Sequence, residues 1–344
     1  MVNKAGGGVV GLRPLSSVDE VRAEWSELAQ ASGNPFATVE WSDAWLAGPG
    51  KHARLRLFAG LRNDGTVAAI VPLVVVRGRY VRKVRFLGFG VANELGPIAA
   101  PNDLELGAQA LRLALAETER DWDVFVGENL QSSEWASRLE AELVARRGNL
   151  FVRGPWETWD DYLATKSRSL RKELRQKERR LRERGLQYRT VSSPEELPGA
   201  LDVLFELHRR RWGADAATGF TGQEAFHRTF AATALARGWL RLRLLELGGR
   251  AVAANYSFRV GSREWSYQHG RDPQLEHDSV GLLILGHAIR EAFGEGAAEF
   301  RLGPGRQEYK LRFADGDHGL ETVGLARGLR GRASLLAERR RRRT

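Results

Sequence analysis

The sequence predicts an α/β (α+β) chain of two tandem halves, each a mixed β-sheet flanked by helices. Three observations lead there. "LRLFAGLRNDGTVAAIVPLVV", from Leu55, lies without gaps on "LRLRLLELGGRAVAANYSFRV", from Leu240. Leu55, Arg56 and Leu57 match Leu240, Arg241 and Leu242, and Val67, Ala68 and Ala69 match Val252, Ala253 and Ala254. Both copies alternate apolar positions around a turn ("RNDGT" and "LGGR"), the pattern of a β-hairpin. The order of helical and strand periodicities around each hairpin is also the same, as a duplicated unit requires.

In the first half, helical spacing over 18–31 and 40–47 precedes the hairpin, and a strand at 83–89, a helix at 105–119 and a strand at 123–127 follow. In the second, helices at 194–212 and 222–237 precede it, and a strand at 263–270, a helix at 279–293 and a strand at 297–302 follow. A helix between two strands is a crossover, so each half should combine an antiparallel hairpin with a parallel pair. The expected boundaries are a first half over 1–155, a bridging segment with a basic helix over 156–192, a second half over 193–326 and a basic tail over 327–344.

Composition narrows the chemistry. Hydrophobic residues at 42% and ten Trp provide for a sizeable core, which a disordered chain lacks. Without Cys there is no thiolate nucleophile, disulfide or Cys-ligated metal, and none of the seven His stands in metal-ligand spacing, so no metal is expected. No run approaches the roughly 20 apolar residues of a membrane span or the apolar core of a secretory signal, and a cytoplasmic location is expected.

The net charge of +10 is concentrated in two places. Residues 166–184 carry ten Lys or Arg against three Glu, and residues 327–343 carry eight Arg against one Glu. The remainder is mildly acidic, which speaks against a broad nucleic-acid platform. On a helix, Leu170, Leu174 and Leu181 give the first basic segment one narrow apolar stripe. Its other faces are cationic, either solvated or, through Arg168, Arg171 and Arg175, holding an anionic substrate at a cleft edge. Arg211 and Trp212, ending the 194–212 helix, are placed at the same edge. The end of the tail, "ERRRRRT" (338–344), is expected to be a disordered segment that contacts polyanions or a membrane surface.

Between 264 and 296, Trp265, Tyr267 and His269 alternate on a strand, Asp-Pro turns the chain, and "HDSVG" opens a helix that Asp278 or Ser279 can cap. Free N–H groups and the positive end of the macrodipole gather there, and Gly281 in the first turn admits a bulky anion such as pyrophosphate. Downstream, "AEFRLGPGRQEYKLRF" turns sharply at Gly303, Pro304 and Gly305 and then offers Glu308, Tyr309 and Lys310. These can supply a base, a hydroxyl acid and an anion-stabilising cation, the groups that acyl transfer needs.

"NPFATVEWSDAW" (34–45), "SLRKELRQKERRL" (169–181), "LHRRRW" (207–212), "YQHGRDP" (267–273), "DSVGLLIL" (278–285) and "FRLGPGRQEYKLRF" (300–313) resemble the tandem GNAT-fold acyltransferases of the CelD type. Those are cellulose or exopolysaccharide biosynthesis acetyltransferases related to the FemAB peptidyltransferases. The resemblance spans most of residues 13–325. It implies a duplicated GNAT fold and an acetyl-CoA or other acyl-CoA donor, with Tyr267, His269, Ser279, Val280 and Gly281 at the donor and the pyrophosphate on the backbone of the last three. Direct attack of an acceptor on the thioester needs no Cys. The chain departs from the family at Arg301, where relatives carry an acid, and lacks the usual Arg/Gln-x-x-Gly-x-Gly/Ala signature. The acceptor implied is a small molecule or saccharide, polar and sugar- or nucleotide-linked. A Fem-like transfer from aminoacyl-tRNA, with RNA on the basic helix, is the second reading. A non-catalytic nucleic-acid or membrane-binding protein is the third.

Overall fold

Two hairpins that share a sequence pattern seed two separate sheets. The computed structural model describes residues 8–9, 11–131, 134–213 and 219–342, and the chain divides into two compact units, residues 1–147 with 319–344, and residues 148–318.

The first unit runs through β1 (Gly11–Leu15), α1 (Arg22–Ser32), α2 (Val39–Ala47), β2 (Arg54–Leu61), β3 (Val67–Arg77), β4 (Arg82–Phe86), β5 (Ile98–Ala99), α3 (Leu104–Glu117), β6 (Val124–Gln131), α4 (Trp135–Arg138) and β7 (Glu142–Arg147). The second contains β8 (Asn149–Arg153), α5 (Trp159–Ala164), α6 (Arg168–Arg182), β9 (Leu186–Thr190), α7 (Leu197–Trp212), α8 (Glu224–Ala236), β10 (Leu240–Leu247), β11 (Arg250–Val260), β12 (Arg263–Arg271), α9 (Val280–Gly294), β13 (Glu299–Pro304), α10 (Glu308–Leu311) and β14 (Gly316–Asp317). The chain then returns to the first unit for β15 (Leu320–Ala326) and α11 (Gly328–Arg341).

The matched hairpins are β2–β3 and β10–β11. Their register shifts fall at matching places, between Gly60 and Leu61 and between Leu245 and Glu246. Ala68, Ala69, Ala253 and Ala254 are all fully buried, since the pleat of each second strand carries helices. Pairing differs by one residue: Leu57 faces Pro72, whereas Leu242 faces Tyr256. The two-residue turn at Gly248 and Gly249, both at positive φ, is shorter than the loop at 62–66 and accounts for the slip.

Each unit also has the expected crossover. α3 carries the chain from β4 to a parallel β6, and α9 carries it from β12 to a parallel β13. The last strand of each half departs from the sequence reading. β8 lies between β13 and β14, and β15 lies between β6 and β7. Residues 148–155, expected in the first half, thus belong to the second unit, as does the bridging segment 156–192, while 319–326 and the tail belong to the first.

The tail is a correction. Residues 328–341 form one helix, so 338–341 are helical where disorder is expected, because Leu335 packs on Val124, Val126 and Val144 and the buried Glu338 pairs with Arg85, Arg341 and Arg342; residues 343–344 lie outside the described residues. α6 matches the expected basic helix, with Leu170, Leu174 and Leu181 buried among α9 residues including Ile284 and Leu285.

Candidate active site

The parallel pair in the second unit is joined over only three residues. Arg263, Glu264 and Trp265 of β12 face Glu299, Phe300 and Arg301 of β13, after which the strands continue to Arg271 and Pro304 without pairing. β13 keeps to β8 instead, and its turn is tied by Lys310, whose Nζ donates to the carbonyls of Gly303 (3.3 Å) and Pro304 (2.8 Å). A cleft of about 350 Å³ opens beyond the last pair. His269, Gly270 and Arg271 line it from β12, Glu276 from the turn that follows, residues 279–282 from the start of α9, Glu308 and Tyr309 from α10, Arg312 just after it, Glu173 from α6 and Arg211 from α7.

Ser279 sits at the head of α9 in a left-handed conformation, φ 55°. Its N–H donates to the Glu276 carbonyl at 3.0 Å, so it is not free for a ligand as expected. Among the described residues, the N–H groups of Val280 and Gly281 are the open donors of this helix start. Neither expected side-chain cap forms. Asp278 accepts from Arg184 at 2.7 Å, and Ser279 Oγ donates to Glu173 Oε1 at 2.7 Å. The other oxygen of Glu173 accepts from Arg312 at 2.7 Å. Burial pushes against the charge of Glu173, but Ser279 and Arg312 outweigh it and hold the carboxyl below its ordinary pKa. A Cβ on Gly281 would lie 3.0 Å from Arg271 Cδ, so the arm of Arg271 crosses this glycine, and its Nη2 reaches Glu276 at 2.9 Å.

The basic helix therefore turns a carboxylate toward the cleft. Arg171 is a staple for the end of α5, donating to the carbonyls of Leu163, Ala164 and Lys166. Arg175 pairs with exposed Asp160 at 3.0 Å, and Arg168 is exposed on the first turn. None of the three lines the cleft. The helical repeat explains this, because Leu170 and Leu174 point inward and Glu173 lies on the adjoining face.

Arg211 does reach the cleft, with its guanidinium 4.6 Å from the Trp212 ring centre and 5.7 Å from that of Tyr309. Trp212 is itself 53% exposed and is not part of the lining. Glu308 and Tyr309 line the cleft, whereas Lys310 is buried against the β13 turn. His269 lines it too, but its Nε2 lies 2.6 Å from Ser266 Oγ and its Nδ1 3.4 Å from Asn255 Nδ2. Burial, with Arg211 and Lys310 nearby, lowers its pKa to about 3, so it is neutral. Tyr267 belongs to an aromatic cluster with Phe220, His227 and Tyr256 and does not line the cleft.

Glu173, Arg271, Glu276 and Arg312 were missed as site residues. Arg271 carried a usable signal, since it lies two residues beyond His269 on the same strand face. Glu173 carried none, being 106 residues from the serine it bonds. Among the described residues no group of three or more His, Cys, Asp or Glu could hold a metal ion.

A crossover helix with open N–H groups at its start, following β12, is the helix that the resemblance points to. Residues 168–311 match the acetyltransferase (GNAT) domain family. No curated protein matches the chain in sequence. The likeness of fold to solved structures extends over both units. The fold is similar to that of FemX (TM-score 0.64, 11% identity, covering 95% of this chain and 100% of that one). It is similar to the C-terminal domain of a putative lysylphosphatidylglycerol synthetase from Agrobacterium fabrum (0.60, 11%, 93% and 95%). It also resembles a tandem GNAT protein from the clavulanic acid biosynthesis pathway (0.51, 12%, 92% and 98%). The chain has two mixed sheets flanked by helices in tandem GNAT-like halves.

Proposed function

We propose that the second unit transfers an acyl group, acetyl in the CelD-type reading, from acyl-CoA to an amine or hydroxyl of a polar, sugar- or nucleotide-linked acceptor. The observation that carries the proposal is the splay of β12 and β13 beside the open N–H groups of Val280 and Gly281.

The residues fit a diphosphate-bearing donor. Two backbone donors and the cations Arg211 and Arg271 surround the helix start. Acyl-CoA, when bound, supplies a thioester carbonyl activated toward attack. Arg271 swings from Gly281 to reach the anion, and Glu173 is the group that must be displaced or neutralised. Tyr309 presents a hydroxyl able to hold a proton at a leaving sulfur, and Glu308, exposed beside it, can take the proton of an attacking amine. His269 is no candidate base, because both ring nitrogens face Ser266 and Asn255.

One observation favours a second reading, an aminoacyl donor. A carboxylate at the helix start, where a diphosphate would sit, suits the ammonium of an aminoacyl group. A thermal-shift panel of acyl-CoAs at fixed salt tests the choice. Saturable stabilisation, lost in Gly281→Trp, is expected for the first reading. A flat panel together with steeply salt-dependent binding of aminoacyl-tRNA would replace it with the second.

A further inference from the structure

The first unit carries an exposed patch that acyl transfer does not explain. α11 buries Gly331, Leu335 and Glu338 on one face. At about 100° per residue, Leu329 and Leu336 fall on the outward side within about 60° of Ala333 and Arg340, with Arg330 and Arg332 on the two flanks. Leu329 is 85% and Leu336 55% exposed.

The tip of the β3–β4 hairpin extends this surface. Gly78 N donates to the Val81 carbonyl at 2.9 Å, closing a tight turn that holds out Tyr80, 67% exposed, under the guanidinium of Arg79. Val81 packs into the small cluster that contains Leu335, so hairpin tip and helix are neighbours.

The local acids are already matched. Asp123 pairs with Arg82, Glu119 with Arg327, Glu142 with Arg339 and Glu338 with Arg85 and Arg342. Among the described residues, Arg77, Arg79, Arg332 and Arg340 form no ion pair with a carboxylate, and Arg330 only adds at longer range to the field of Arg82 on Asp123. A polyanion in water would use the arginines and leave the leucines wet. Exposed leucines at seven-residue spacing, a tyrosine and unmatched arginines are complementary to a surface that offers anionic headgroups over an apolar layer.

We propose that this patch docks the protein on an anionic lipid bilayer, with Leu329, Leu336 and Tyr80 entering the interface and the five arginines on the headgroups. The test is co-sedimentation of the full chain with vesicles of phosphatidylglycerol and phosphatidylcholine, with phosphatidylcholine alone, and with bulk tRNA as a competing probe. Wild type should bind the anionic vesicles, and bind them less as salt rises. Leu329→Gln with Leu336→Gln should weaken that binding roughly tenfold or more while leaving every charge in place. Arg330→Gln with Arg332→Gln and Arg340→Gln should abolish it. All five side chains are exposed, so unchanged melting of the variants shows that lost binding is not lost folding. No binding to anionic vesicles, full binding by the leucine variant, or tRNA binding without vesicle binding would each overturn the proposal.

Discussion

The carboxylate of Glu173 accepts a 2.7 Å hydrogen bond from Ser279 Oγ and so stands at the start of α9, beside the donors that an anion would use. An anionic donor must compete with it. Glu173→Gln keeps the bond to Ser279 and removes the charge, so CoA and inorganic pyrophosphate should bind about fivefold to tenfold more tightly, matching the roughly 1 kcal/mol of a helix-terminus charge. Calorimetric titration at two salt concentrations measures it. Weaker CoA binding in the variant would mean that Glu173 contributes to the donor site and does not oppose it.

The Gly281 backbone is helical, so an alanine is allowed there, with the flexible arm of Arg271 as its only close neighbour at 3.0 Å. Gly281→Ala should therefore fold with a melting point close to wild type, the better helix propensity of Ala offsetting the displacement of Arg271. Gly281→Trp should fold as well yet fill the cleft. Parallel melting curves with and without CoA separate the two: Ala should retain a CoA-dependent shift and Trp should lose it.

Much of this site was legible because it is local in sequence. Val280 and Gly281 follow a turn and open a strongly apolar helix, and Glu308 and Tyr309 follow a Gly-Pro-Gly turn, so periodicity and turn chemistry find them. Glu173 and Arg312 were not legible, because their roles depend on partners far along the chain. The exchange of last strands was hidden for a related reason. β8 and β15 read as ordinary strands, and nothing in their own residues names the sheet that they enter. In the tail, one buried leucine and one buried glutamate decide the structure, too few to stand out among eight arginines.

Arg243 and Glu264 form a fully buried pair, with Nη1 to Oε1 at 2.5 Å, and Arg243 Nε reaches Glu291 at 2.6 Å. The pair lies near the last joined residues of β12 and β13. Arg243→Met should cost about 3–5 kcal/mol, chiefly by leaving Glu264 buried and unpaired. Arg243→Met with Glu264→Gln should recover part of that loss. Urea denaturation of both variants checks it, and equal stability of the single and double variants would refute the assignment.

Three imidazoles make stability depend on mild acid. Burial lowers His208 to about 4, and His227 and His269 to about 3, from an ordinary 6.5. Folded pKa values below the unfolded one mean that the unfolded chain binds more protons between these limits. Stability is then full above pH 6.5 and falls as pH drops toward 4, each imidazole adding up to about 1.4 kcal/mol per pH unit. His227 is the most informative. Its ring lies 4.4 Å from Phe220 and 4.9 Å from Phe226, centre to centre, and neither of its buried nitrogens has a hydrogen-bond partner among the described residues. His227→Phe exchanges an unsatisfied ring for an apolar one of similar shape. Stability at pH 7 should stay level or rise by about 1–2 kcal/mol, and the slope between pH 4 and 6.5 should lose about one proton. Urea titrations at a series of pH values read both quantities. A variant with the wild-type slope would show that His227 is already protonated in the folded protein.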